Sequence, residues 1–208
     1  MTLTVELDRE NPDVQTLEKA RDILNAGGLV IVPTETVYGI ACDPAIPGAM
    51  AKLIRAKGRD GEKPIARLAA DGEQVKAASN HWNAGLTALA AKWWPGPLTL
   101  IVETDDGWTG YRVPDHAVPV ELAKLCGRTL ALTSANLSGE PDTKTAAEAI
   151  ASVEADLALD SGPSAAEAIP STVIKVDGDK IECLREGRVP LTEIKEVFKQ
   201  KAAKTAKN

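Results

Sequence analysis

The chain has 208 residues, of which 44% are hydrophobic and 26% charged, enough for one domain with a sizeable core, and this balance excludes a disordered or fibrous chain. Its formal net charge is −6, so no global basic field draws in nucleic acid, and an RNA-binding module would have to rely on a local patch. Cys42, Cys126 and Cys183 are odd in number, widely spaced and free of any CxxC pair, which fits reduced structural thiols better than a disulfide framework or a zinc site.

Residues 2–7 alternate as a strand, and the opening MTLTVELDRENP lacks the basic-then-apolar pattern of a leader; with no run of membrane-spanning length, the expectation is a cytoplasmic protein without membrane contact. Asn11-Pro12-Asp13 supplies a cap, a first-turn proline and an early acid for a helix to about Ala26, stopped by Gly27-Gly28. The apolar run Leu29 to Val32 predicts a buried strand. Pro33 ends it, and Thr34, Glu35, Thr36 and Tyr38 then gather polar side chains past the strand's carboxyl end, where open α/β sheets bind ligands.

Residues 47–57 predict a helix with Met50, Leu53 and Ile54 on its core stripe and a cationic end at Arg55, Lys57 and Arg59. Those cations suit either an anion site or simple compensation of the helix dipole. A strand is expected over 64–69, helices over 71–78 and 84–93, and a buried strand over 98–102 after the rigid turn Trp94-Pro95-Gly96-Pro97. The pair Trp93-Trp94 reads as core rather than as a base-stacking platform. Arg112 stands at a strand end, residues 118–126 form a helix, and the lone His116 has neither a nucleophile nor a ligand set beside it. Strand 129–132 runs into Thr133-Ser134-Ala135-Asn136, a second apolar strand followed by hydroxyls and an amide. A helix over 143–152, a strand over 157–160, a hairpin of 171–176 with 180–184 around Asp177-Gly178, and a last helix from about Leu191 complete the chain. The domain is expected to span residues 1–198, with 199–208 a Lys-rich flexible tail.

PTETVYG at 33–39, Lys57-x-Arg59, WPGPLT at 94–99, Arg112-Val113-Pro114, TSANLSG at 133–139, PSTVI at 170–174 and Leu184-Arg185 stand in the order of a known pattern. Together they resemble the YrdC-like family of threonylcarbamoyl-adenylate synthases, over nearly the whole chain and in the single-domain form. The resemblance implies a twisted open mixed α/β sheet with flanking helices and a deep concave groove. It also implies an enzyme that turns L-threonine, bicarbonate and ATP into threonylcarbamoyl-AMP and pyrophosphate, a nucleotidyltransferase reaction. A partner transferase would then carry the product to tRNA. By this resemblance Lys57 and Arg59 are catalytic and contact ATP together with Ser134, Asn136 and Arg185, while Thr34, Arg112, Ser171 and Thr172 form the threonine pocket. Mg²⁺ would come with ATP, without a dedicated protein metal site, and direct tRNA binding would be weak.

The chain departs from the family pattern at Asp60 and Glu186, where proline is common, and at Leu68, where many members carry histidine. Asp60 resembles a sibling branch, and an acid aimed at a phosphate clamp would weaken its field. Two other readings remain: a noncatalytic RNA-binding module on the same groove, and a paralogous nucleotide enzyme with another substrate.

Overall fold

Asp13, rather than Asn11, caps the first helix: its carboxylate accepts the backbone N–H of Thr16 at 2.9 Å, satisfying one of the four orphan donors of a helix start. The structure is a computed structural model that describes residues 2–58, 64–165 and 169–205. In chain order the elements are β1 (Leu3–Glu6), α1 (Val14–Asn25), β2 (Val30–Val32), β3 (Gly39–Cys42), α2 (Ala49–Ala56), β4 (Ala66–Leu68), α3 (Gly72–Ala78), α4 (Ala84–Trp93) and β5 (Leu98–Thr104). Then follow β6 (Gly107–Arg112), α5 (Ala117–Cys126), β7 (Leu130–Ser134), α6 (Ala146–Ser152), β8 (Leu157–Asp160), β9 (Thr172–Asp177), β10 (Lys180–Arg185) and α7 (Leu191–Thr205). The strands form one ten-stranded mixed sheet in the order β1-β8-β2-β3-β7-β4-β6-β5-β9-β10.

Strand alternation divides the core into three packed groups. Val30, Val32, Ala41, Leu68 and Leu130 meet α1 and α5 on one face. From the same strands, Ile31, Ile40, Cys42 and Ala131 point the other way, against α2 and α6. Farther along that second face, Leu98, Leu100, Val102, Tyr111 and Ile174 pack under α3, α4 and α7. Trp93 and Trp94 pack against this last group, and the Trp94 indole N–H donates to Leu98 O at 2.7 Å, as expected of core side chains with a polar handle.

The expectation that β5 is buried over 98–102 holds except at Ile101, which is half-buried, and its two faces differ in what covers them. Leu98, Leu100 and Val102 are covered by helices, whereas Thr99 and Ile101, with Gly110, Val173 and Lys175 in register beside them, line a cavity. The last helix, α7, runs on through residue 205. It docks where Phe198 meets Gly85 of α4: a Cβ on Gly85 would lie 2.3 Å from the Phe198 ring.

Two departures from the family pattern have local explanations. Leu68 is fully buried among α1 and α5 side chains, and Glu186 accepts the first backbone N–H of α7, from Leu191, at 2.9 Å. Asp60 lies outside the described residues.

Candidate functional site

Residues 33–38 connect β2 to its antiparallel neighbour β3, so the polar motif is a tight excursion between two buried strands. Thr34 holds it together: its hydroxyl donates to Val37 O at 2.6 Å and accepts from the backbone N–H of Thr36 and Val37, both at 3.2 Å. Tyr38 is fully buried, with its phenol oxygen 2.6 Å from Gly162 O, and burial pushes its pKa up to about 12. Gly39 packs closely under β7: a Cβ there would stand 2.7 Å from Leu132 Cδ1 and 3.2 Å from Thr133 O, so a larger residue would make the Leu132 side chain shift.

The cavity has a volume of about 670 Å³, within the usual range for small-molecule sites. Thr34, Arg112, Ser134, Ser171 and Arg185 all line it, brought from separate stretches of sequence. Arg112 is the most constrained. Its Nη2 donates to Glu35 Oε1 at 2.6 Å and to Thr36 Oγ1 at 2.9 Å, and its Nε to Gly96 O at 3.3 Å. Nη1 has no protein partner among the described residues, so a fixed guanidinium keeps one edge for a ligand carboxylate or phosphate. Glu35 in turn leaves a buried Oε2 without a partner.

Arg185 lies along Ser171, its Nε donating to Ser171 O at 3.1 Å and its Nη2 to Ser171 Oγ at 3.2 Å. Ser171 Oγ is also 2.9 Å from Thr99 Oγ1. Burial lowers the Arg185 pKa, Asp142 opposes that shift, and Arg112 adds to it, so the two arginines share one positive field.

Lys57 and Asn136 are not among the residues lining the cavity; they meet just behind Ser134. Lys57 is 3% exposed, and its ammonium donates to Ser134 O at 2.5 Å, to Asn136 O, and to Asn136 Oδ1 at 3.1 Å. The Asn136 amide donates to Glu140 O at 2.6 Å. Lys57 therefore ties the end of α2 to the turn after β7, which is more than compensation of a helix dipole. Thr172 faces away from the cavity: it is fully buried, donates to Val189 O at 2.6 Å, and accepts from Gly187 N and Val189 N. Its hydroxyl shapes the turn before α7, so of the Ser171-Thr172 pair only Ser171 reaches the wall. Arg59 lies outside the described residues.

Residues 22–187 match the model of the Sua5/YciO/YrdC family, whose description is telomere recombination. The chain belongs to this family. A Chromohalobacter salexigens protein named threonylcarbamoyl-AMP synthase is 36% identical over 72% of this chain and 86% of its own length. A Mycobacterium tuberculosis relative is 33% identical over 97% of this chain and 98% of its own. The crystal structure of Pyrococcus abyssi Sua5 complexed with L-threonine superposes with a TM-score of 0.86 at 29% identity. It covers 94% of this chain, which spans 61% of that longer one.

Several lining residues carry no sequence signal of their own. Trp108 is exposed at the rim with the Lys175 ammonium 3.8 Å from its ring centroid, and Asp142, Thr99 and Arg67 also line the cavity. Glu35 and Thr36 were visible as polar members of the 33–39 motif, but their grip on Arg112 depends on a strand that lies far away in sequence. His116 serves the fold: its Nδ1 accepts Val118 N–H at the start of α5, and its Nε2 is 3.1 Å from Ser161 Oγ.

Proposed function

We propose that this protein is a threonylcarbamoyl-AMP synthase, a nucleotidyltransferase that joins L-threonine, bicarbonate and ATP. The observation that carries this reading is the convergence of Thr34, Arg112, Ser134, Ser171 and Arg185 on one cavity, in a chain whose relative is named for that activity. The threonine amine and bicarbonate form a carbamate with loss of water. A carbamate oxygen attacks the α-phosphorus of ATP, and pyrophosphate leaves with the electron pair of the broken P–O bond. Two anions must be aligned and their charge dispersed, which is work for fixed donors rather than for a covalent nucleophile.

Arg112, clamped by Glu35 and Thr36, suits the threonine carboxylate, with Thr34 and Ser171 on either side. Arg185 and Ser134 suit the phosphates, and Lys57 and Asn136 hold the turn that presents Ser134. Mg²⁺ enters on the triphosphate, where it neutralises charge that the arginines do not reach. The product passes to a partner transferase acting on tRNA, and direct tRNA binding by this acidic chain is weak. The test is pyrophosphate release as each substrate is omitted in turn: turnover must need L-threonine and bicarbonate jointly, and equal turnover without bicarbonate contradicts the proposal.

A further inference from the structure

Arg67 is a half-buried arginine that forms no ion pair and no side-chain hydrogen bond among the described residues, and its Nη1 is shut off from solvent without a partner. A cation in that position is costly unless a counter-charge reaches it. Register fixes where it lies. Arg67 pairs with Tyr111 on β6 and with Ala131 on β7, so it stands on the sheet face that carries Cys42 and Tyr111, opposite Ala66 and the groove floor.

Arg67 lines a second cavity of about 240 Å³, together with Tyr111, Thr109, Thr129 and Arg128 and two acids, Asp43 and Asp106. It is below the usual size of a site for a nucleotide or drug-sized ligand. Asp43 is already spent, being fully buried and held by Arg128. Asp106 is exposed on the β5–β6 turn and forms no ion pair among the described residues. Arg67 and Asp106 are thus the two charges in the cavity without an ion pair among the described residues, Asp106 exposed to water and Arg67 half-buried, and the Tyr111 phenol, which makes no hydrogen bond among the described residues, adds a donor beside Arg67. Arg67, Asp106 and Thr109 line the main groove as well, so the two cavities adjoin.

We propose that Arg67 anchors a small oxyanion of the phosphate or bicarbonate class in this second cavity, separate from the phosphate-binding end of the groove. The guanidinium supplies two or more N–H donors to it, and Tyr111 and Thr129 supply hydroxyls. Binding there stabilises the fold and leaves the nucleotide's place in the groove open.

Calorimetric titration with inorganic phosphate, at constant ionic strength kept by chloride, tests the site without reference to catalysis. Wild type is expected to show two classes of site. Arg185→Gln should weaken the groove class alone, and Arg67→Gln should weaken the other by about tenfold or more. Tyr111→Phe, which removes only one hydroxyl, should weaken that same class severalfold, and so guards against misreading a fold defect in the arginine variant. Competition by bicarbonate or by pyrophosphate identifies which oxyanion the cavity prefers. Crystals soaked in selenate should place an anomalous peak between Arg67 and Tyr111. Phosphate binding unchanged by Arg67→Gln, or selenate confined to the groove, overturns the proposal.

Discussion

Replacing Lys57 by alanine separates a buried tether from a helix-end charge. The side chain is 3% exposed, and its ammonium serves Ser134 O, Asn136 O and Asn136 Oδ1. Alanine would strand these acceptors behind the cavity wall. A hydrogen bond to a charged group contributes about 1.5–3 kcal/mol, and removing one partner of a buried charged network costs about 3–5 kcal/mol. In a domain of this size 1 kcal/mol moves Tm by about 2–4 °C, so Lys57→Ala should melt roughly 6–20 °C below wild type. A helix-dipole cation would cost no more than about 1 kcal/mol. Thermal melting followed by circular dichroism, with calorimetry to confirm a single transition, measures the difference. Because Ser134 sits at the end of this tether and lines the cavity, turnover should fall too, by about 10²–10³-fold. A melting temperature within 2 °C of wild type would refute the tether. Normal turnover in a destabilised variant would refute its link to the site.

Glu35→Gln, which keeps the shape but removes the charge that holds Arg112, should raise the KM for threonine more than it lowers kcat, whereas a purely structural glutamate would leave that ratio unmoved. Threonine should be preferred to serine by about 1–3 kcal/mol, the usual limit for one methyl group in a pocket, and equal rates would refute the pocket. Burial depresses the His116 pKa from 6.5 to about 4. The unfolded chain therefore binds the extra proton first, and the contribution of neutral His116 is intact above pH 6.5 and is lost as pH falls toward 4, about 3 kcal/mol in all. Denaturant unfolding of His116→Asn across that window should show the missing slope, and a profile parallel to wild type would contradict it. Gly85→Ala drives a Cβ into Phe198 and should cost about 1–3 kcal/mol; unchanged unfolding would show that α7 does not dock there.

The amphipathic helices and the apolar strands were legible because their signals are local: periodicity, caps, and glycine stops such as Gly27. β3 and β6 were not. GIAC is short and begins with glycine, and GWTGYR contains two glycines, so propensity argues against strands that exist because β2, β7, β4 and β5 pair with them. The site was legible as motifs but not as geometry. Ser171 and Thr172 read as one pocket wall, yet successive residues entering a strand face opposite ways, and Thr172 went to the core. Lys57 read as a cation at a helix end because its acceptors lie 77 and 79 residues away. Arg67 carried no signal at all, since its lack of a partner depends on which side chains the sheet brings beside it.

The reaction product decides whether the groove makes a threonylcarbamoyl adenylate. The protein is incubated with ATP, Mg²⁺, L-threonine and ¹³C-labelled bicarbonate, and the adenylate is identified by mass spectrometry. Threonylcarbamoyl-AMP carrying one ¹³C atom should form together with pyrophosphate. An unlabelled threonyl adenylate, or no adenylate from a folded protein that binds ATP, would contradict the proposed reaction.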